Sequence, residues 1–491
     1  MLKKLILFRL TSCFLVQTWF VPDETWQVTE VAHYFTYGYG YLCWEWREAI
    51  RSFIYPGFFS AIYYLLSLLN LDNTFVLINI PRVVSSVIFA VGDLYTIKFF
   101  AKLYGRGSRN WILIFLGTSW FLMYCAPRTL SSCVEMTLLA IALYYFPWNH
   151  EKESLSTRYL LWGGLGCAIR PTLAVFLLPF CVKHLLCQKN LQLLFRYIFN
   201  VFGILLLSIV LDSLFYGRLT VVPWNFLKFN LLSGLSSHYG KHPWHWYFTQ
   251  GLPVICGVHL IPIGFGVIKY FKKYKKIFFP CLWGIVIHSL LEHKEFRFLL
   301  PILPVLLAIG ADSIHTFVKH SFKHEKFNKK KNLLVIIILV IPNTFILLYM
   351  GLVHQRGPID VMHELRNSLD VKEISSVLFL TPCHSTPLYS HLHVNIPIRF
   401  LTCEPNLNRI ENYEDEADVF FKDPLKWIDR EYNANPGQTS NLPTYVIMFD
   451  ILYETLEPFL MENNYKFRKK IFNSHFYDGN RGQYFHIYKK L

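Results

Sequence analysis

Two adjacent carboxylates, Asp23 and Glu24, follow the first apolar block in the run Pro22-Asp23-Glu24-Thr25-Trp26, with His33 a little further on. An acid held at a membrane edge, partly withdrawn from water, can be tuned as a general base. The competing reading is that one of the two caps a short interfacial helix beginning at Thr25. Between two later apolar blocks stands His293-Lys294-Glu295-Phe296-Arg297-Phe298, a dense patch of cationic and hydrogen-bonding groups. Such a patch suits a lipid-linked phosphate: Arg297 offers a planar fork of donors, and Lys294 and His293 supply charge or further donors. Snorkelling toward lipid headgroups accounts for one cation better than for a cluster. Arg128 and Arg170 interrupt apolar surroundings, where ionisable residues are candidates for function, and pairing with Glu135 or Asp212 for packing is the alternative. His242-Pro243-Trp244-His245-Trp246-Tyr247 mixes imidazoles with indoles, as sugar and headgroup contacts do, and as an aromatic interfacial belt does. His242 and His245 have no third ligand nearby, so no metal is assigned.

These groups need elements to hold them, and composition says which kind. The 491 residues are 53% hydrophobic and 17% aromatic, with a mean hydropathy of +0.31. The apolar residues fall in blocks of roughly 16 to 25, near the ~20 a helix needs to cross a bilayer. The expected fold is therefore mainly α, a polytopic membrane bundle rather than a β-barrel of short alternating strands. The net charge of +15 lies mostly between the apolar blocks, without a zinc-finger or RNA-binding signature, so it reads as membrane topology and not as nucleic-acid binding. Met1-Leu2-Lys3-Lys4 and the apolar stretch to Phe20 lack a convincing cleavage site and read as a retained anchor.

With Lys3, Lys4 and Arg9 placed on the cytoplasmic side, the loop beginning at Val21 is lumenal. The clusters Lys98-Lys102-Arg106-Arg109, Lys183-Lys189-Arg196, Lys272-Lys273-Lys275-Lys276 and Lys319-Lys323-Lys326-Lys329-Lys330-Lys331 read as cytoplasmic loops. Segments 74–97, 111–127, 133–148, 194–216, 252–271, 277–292, 298–318 and 332–353 then each cross once. Block 158–183 crosses twice or re-enters, turning near Arg170-Pro171-Thr172, and block 53–70 does not complete a crossing. The lumenal face collects 21–52, 128–132, 170–172, 217–250, 293–297 and the tail from 354. Long apolar runs stop at Val353-His354-Gln355-Arg356-Gly357, which separates a membrane domain, 1–353, from a lumenal α/β domain, 354–491. In that tail 377–380, 445–449 and 484–488 read as strands and 451–464 as an amphipathic helix. There is no dinucleotide fingerprint, P-loop, metal signature or internal repeat. Of the 11 cysteines, Cys383 and Cys403 could pair in an oxidising lumen.

Taken in order, Pro22-Asp23-Glu24, Trp44-Glu45-Trp46, Arg170-Pro171-Thr172, Asn225-Phe226-Leu227-Lys228-Phe229-Asn230 and His293-Lys294-Glu295-Phe296-Arg297-Phe298 resemble the membrane mannosyltransferases that use dolichyl-phosphate mannose, over nearly the whole chain. The resemblance implies a GT-C type bundle with a C-terminal lumenal α/β domain. In the tail, Gly351 to Gly357, Pro382-Cys383-His384-Ser385-Thr386-Pro387 and Asp415-Glu416-Ala417-Asp418-Val419 resemble the branch that extends the glycosylphosphatidylinositol anchor precursor. This second resemblance implies inverting transfer of an α1,2-linked third mannose in the endoplasmic reticulum lumen. Asp23 is then the base, with Glu24 as second choice or orienting partner. His293, Lys294 and Arg297 bind the donor phosphate with Arg170 as a helper, and Arg128, His242, Trp244 and His245 are possible substrate contacts. No cofactor is implied, the need for a divalent metal stays open, and the implied partners are the lipid-linked donor, the glycolipid acceptor and the membrane. The competing functions are a sister enzyme of N-glycan precursor assembly and a lipid or sugar transporter.

Overall fold

The computed structural model describes residues 1–148, 155–321, 325–368, 375–432 and 442–491. Its contacts separate two compact units: a helical unit of Met1–Leu15, Glu45–Phe58 and Asn79–Leu348, and a sheet unit of Val16–Trp44, Phe59–Ile78 and Tyr349–Leu491. The division does not follow a single cut near residue 353. Two early stretches fold with the tail because the backbone after the first helix bonds to it: Gln17 N–H donates to the Gly351 carbonyl at 2.6 Å and Trp19 N–H to that of Gln355 at 2.9 Å.

In the helical unit the first helix, Leu2–Leu15, carries Arg9, expected as a cytoplasmic charge. Arg9 is instead fully buried, its Nε 2.6 Å and Nη2 3.1 Å from the Asp93 carboxylate, with Nη2 also donating to the Leu116 carbonyl at 3.0 Å. An unpaired charge at such depth would cost several kcal/mol, so the sequence places a fork donor opposite a carboxylate. The expected span 111–127 is two helices, Arg109–Thr118 and Trp120–Cys125, broken at Ser119, whose extended backbone caps the second through Oγ and Leu122 N–H. Block 158–183 folds as Arg158–Ile169 and Leu173–Gln188. The break falls at Arg170 because Pro171 disfavours helical angles for the residue before it; Arg170 is extended, at φ −145° and ψ 105°. Lys272, Lys273, Lys275 and Lys276, expected in a loop, occupy the first turns of the helix Phe271–Leu290, and Lys273 turns inward to Asp312 at 2.6 Å. Lys323 lies outside the described residues, as do the side chains of Lys326, Lys329, Lys330 and Lys331 on the helix Glu325–Leu352.

Five helical stretches are long and apolar enough to cross a membrane, Thr74–Tyr104, Leu191–Tyr216, Tyr247–Lys269, Phe296–Lys319 and Leu333–Ser368, alongside the shorter apolar helices Ile54–Leu68, Ser131–Tyr145 and Leu173–Gln188. The protein is a multi-pass membrane protein. Two of these show the contrast between lipid and core. Leu191–Tyr216, capped by Asn190 and ended by left-handed Gly217, exposes Phe199, Phe202 and Leu214. Phe296–Lys319 buries Leu300, Leu303, Leu307 and Ile309 completely. Its neighbour Leu260–Lys269 comes close because Gly266 has no Cβ; one there would fall 1.9 Å from Ser313 Oγ.

The sheet unit holds five strands, β1 (Val377–Leu380), β2 (Ile398–Phe400), β3 (Tyr445–Phe449), β4 (Tyr465–Phe472) and β5 (Tyr484–Lys490), in the order β2-β1-β3-β5-β4. β1 runs parallel to β2 and β3, and β5 antiparallel to β3 and β4. Every residue of β1 and β3 is buried, which is why both read as unbroken apolar runs. Leu378, Val446, Met448, Phe420, Trp427 and Leu456 form their core. The three expected strands are present, and the helix Tyr453–Glu462 lies within 451–464. β2, three residues long, and β4, with Arg468, Lys469 and Lys470 on an edge, were not legible from pattern.

Candidate active site

Pro22 opens a turn in which Thr25 and Trp26 N–H groups donate to its carbonyl at 3.0 and 2.9 Å. Thr25–Thr29 continues as a π-helical turn, a wide geometry that recurs at functional sites. Glu24 stands at the cap position with helical angles and makes no side-chain cap bond. Its Oε1 accepts from Phe20 N–H at 3.3 Å instead, so Glu24 is buried and turned back along the chain, whereas Asp23 is half-buried. The two acids thus differ in a way their adjacency hides.

Trp26 packs edge-on against His384 at 4.2 Å and Phe400 at 5.2 Å between ring centroids, and its indole donates to the Thr386 carbonyl at 3.0 Å. His384 adjoins the Cys383–Cys403 disulfide, whose Cα atoms are 5.8 Å apart. Burial draws the His384 imidazole down to about 4, and the Asp23 carboxylate pulls the other way. His384 is therefore neutral at neutral pH and within electrostatic reach of Asp23. On the following helix Glu30 is buried, accepting from Leu388 N–H at 2.8 Å and Ser390 Oγ at 2.6 Å; burial raises its carboxyl against those bonds. Among the described residues, one set of His, Cys and carboxylate atoms lies close enough to share an ion, Cys383, His384 and Cys403, and its sulfurs are bonded to each other.

The cationic residues gather in the helical unit. Arg170 Nε lies 3.1 Å from Glu135 Oε2 and donates to Thr172 Oγ1 at 3.1 Å, while Nη1 donates to Ser131 Oγ at 3.0 Å. Thr172 Oγ1 donates in turn to Glu135 Oε1 at 2.8 Å. Arg297 grips Glu295 through Nε at 2.6 Å and Nη2 at 2.5 Å, and His293 Nε2 is 3.1 Å from the same carboxylate. The Arg170 and Arg297 guanidiniums lie 5.3 and 5.4 Å from the centroid of one ring, Phe298. Burial would raise the Glu295 carboxyl, but the Arg297 charge and hydrogen bonds, with His293, hold it well below the usual range.

Lys294 donates to the carbonyls of His242, at 2.9 Å, and Leu291, so its ammonium fastens two loops; burial lowers its pKa. His242 stacks on Trp246 at 4.8 Å, and Tyr247 donates to the Glu295 carbonyl at 3.3 Å. Of the possible substrate contacts, Trp244 and His245 sit on the exposed part of that loop. Arg128 is fixed by its own turn, Nε donating to the Tyr124 carbonyl at 3.1 Å with the guanidinium 4.1 Å from the Tyr124 ring. Asp212, weighed as a partner for the arginines, accepts from Ser52 Oγ and Phe53 N–H. The array can hold two guanidiniums in fixed orientation, each on a carboxylate, beside one aromatic face. Donors fixed in this way have the chemistry to stabilise developing negative charge.

A sequence model of the Alg9-like mannosyltransferase family matches residues 1–393. The chain belongs to the Alg9-like mannosyltransferase family. It is a glycosyltransferase. It is 40% identical over 99% of its length, and 86% of the relative, to GPI alpha-1,2-mannosyltransferase 3 of Homo sapiens. It is 41% identical over 94% of its length, and 82% of the relative, to GPI mannosyltransferase 3 of Drosophila melanogaster. ArnT from Cupriavidus metallidurans, solved with undecaprenyl phosphate bound, aligns with a TM-score of 0.58 at 11% identity, covering 99% of this chain and 98% of that one. At that identity the likeness concerns the fold alone, mainly helical with a small C-terminal sheet.

For an Alg9-like mannosyltransferase, sequence reasoning offered Glu135 as a partner for the arginines, which Arg170 takes, and passed over Glu295 and His384. Glu295 was visible between Lys294 and Arg297, but nothing in the string marks it as the group that orients Arg297. His384 lies 361 positions from Asp23 in numbering, beyond any local pattern.

Proposed function

We propose that this chain transfers the third, α1,2-linked mannose from dolichyl-phosphate mannose to the glycosylphosphatidylinositol anchor precursor in the endoplasmic reticulum lumen. The observation that carries this reading is the near full-length similarity to relatives named as GPI alpha-1,2-mannosyltransferase 3. The acceptor hydroxyl attacks the anomeric carbon as the carbon–oxygen bond to phosphate breaks. The leaving phosphate takes the bonding pair, the hydroxyl proton passes to a carboxylate, and a β-linked donor gives an α-linked product in one inverting step. Asp23 is the base: it is half-buried and within electrostatic reach of a neutral imidazole, and Glu24 is buried with its Oε1 turned back to Phe20 N–H. Arg297 and Arg170 receive the phosphate charge, and Glu295 and Glu135 orient them. Lys294 adds positive potential and His293 a further hydrogen-bonding group, Arg128, His242, Trp244 and His245 belong to the acceptor and headgroup surface, and no residue set is assigned to a divalent metal. The lumenal placement rests on the Lys and Arg distribution and is supported by the Cys383–Cys403 disulfide, since such bonds persist in oxidising compartments.

The test is mannose transfer in membranes to a two-mannose anchor precursor, comparing the native chain with Asp23→Asn and Glu24→Gln at matched expression. Asp23→Asn should lower turnover by about 10²- to 10⁴-fold with donor binding retained, and Glu24→Gln should keep most activity. Equal loss in both variants removes the assignment of the base. Transfer to an N-glycan precursor alone keeps the family and rejects the acceptor.

A further inference from the structure

A second basic region lies in the helical unit, away from the arginine and lysine cluster around Glu295. Between the helices Leu173–Gln188 and Phe271–Leu290 runs an open groove of about 610 Å³ whose walls include Lys183, Lys275, Lys276, Phe279, Trp283 and Val286. Its two ends differ in chemistry. Lys275 and Lys276 stand one turn before Phe279, and Phe279, Trp283 and Val286 follow at helical spacing on the same face. Lys183, from the other helix, is close enough to Lys276 for the two to repel. Among the described residues no carboxylate pairs with any of the three lysines. The apolar wall is open to the surroundings, with Phe279 53% and Trp283 41% exposed. The indole is nevertheless held in place, donating to the Val175 carbonyl across the groove at 3.1 Å.

Three like charges with no carboxylate partner among the described residues, next to an apolar trough on a membrane-embedded surface, call for an amphiphile with a negative head. We propose that the groove binds an anionic phospholipid of the surrounding bilayer, its phosphate between Lys183, Lys275 and Lys276 and an acyl chain along Phe279, Trp283 and Val286. A free phosphate would have no use for the apolar wall, and a zwitterionic lipid would bring a compensating cation to the lysines. Each lysine near an anionic lipid surface is worth about fivefold in affinity. With the active site in the lumen, the charge pattern makes this end of the bundle cytoplasmic, on the leaflet richer in anionic lipid.

The full chain, purified and reconstituted in phosphatidylcholine bilayer discs with or without phosphatidylserine, is released for native mass spectrometry and its retained lipids are counted. The native chain should keep phosphatidylserine over phosphatidylcholine, and inorganic phosphate should not displace it. The triple variant Lys183→Gln, Lys275→Gln, Lys276→Gln should weaken retention on the order of 100-fold while its unfolding temperature in phosphatidylcholine stays unchanged. Should the triple variant not fold, Lys276→Gln alone should give about a fivefold loss, and Trp283→Ala should weaken both lipids alike. Retention unchanged in a folded variant, or phosphatidylserine displaced by inorganic phosphate, overturns the proposal.

Discussion

At the scale of single residues, charges that look alike in the sequence do different work once their partners are known. Arg9 and Arg297 are both buried arginines facing a carboxylate, but Arg9 is locked on Asp93 inside the bundle and Arg297 on Glu295 in a loop. The Arg9–Asp93 pair should therefore be structural: Arg9→Ala should cost about 3–5 kcal/mol, whereas Arg9→Met with Asp93→Leu should recover most of it, measured by thermal unfolding in detergent. A double variant no more stable than the single one would show that the pair does more than cancel charge. At Arg297 the expectation differs. Arg297→Lys keeps the charge but loses the two-pronged grip on Glu295, and should lower turnover with little change in unfolding temperature. The cationic cluster was legible because its members are neighbours in the chain, and the different surroundings of Asp23 and Glu24 were not, because they depend on where Glu24 Oε1 turns.

Among the elements, helix breaks follow from local rules and strand pairing does not. Pro171 announced the turn between Arg158–Ile169 and Leu173–Gln188, since proline constrains its predecessor whatever the context. The edge strand β4 gave no such signal: with Arg468, Lys469 and Lys470 exposed it has no apolar alternation, and charge on an edge serves to block further pairing. Helix contacts inside the bundle depend on glycines whose importance appears only when the neighbour is seen. Gly266→Val should force Ser313 away and cost about 1–3 kcal/mol, read as a lower unfolding temperature. Gly264→Val on the same helix, where a Cβ would meet nothing within 4 Å, should cost less, and equal effects would point to helix propensity as the cause.

For the molecule as a whole, the sheet unit holds a buried imidazole, His33, a half-buried one, His384, and the Cys383–Cys403 disulfide. His384 and His33 are drawn from an ordinary 6.5 to about 4 and about 3 by burial. Their folded values lie below their unfolded values, so the unfolded chain takes up protons first: stability is full above about pH 6.5 and falls as the pH drops from there toward 4. Proteolysis of the full chain should become faster across that window, and His384→Gln should flatten the response; a flat native profile would contradict the burial of these rings. The disulfide closes a loop with a separation of 20 residues, worth about 3 kcal/mol, so Cys383→Ser with Cys403→Ser should lower the unfolding temperature of the same unit. By itself the sequence determined the solvent, through apolar blocks of bilayer length, the helical class, the three apolar strands, and the local clusters that carry charge, because each depends on residues within a few turns of one another. Only the tertiary structure decided that residues 16–44 fold with the tail, that Glu30 binds Leu388 and Ser390, and that Glu135 and Glu295 each take one arginine. Those are pairings between residues far apart in the chain or between side chains whose direction a string of letters does not encode, and burial makes them obligatory: a charge or a backbone donor withdrawn from water must find its partner wherever the fold supplies one.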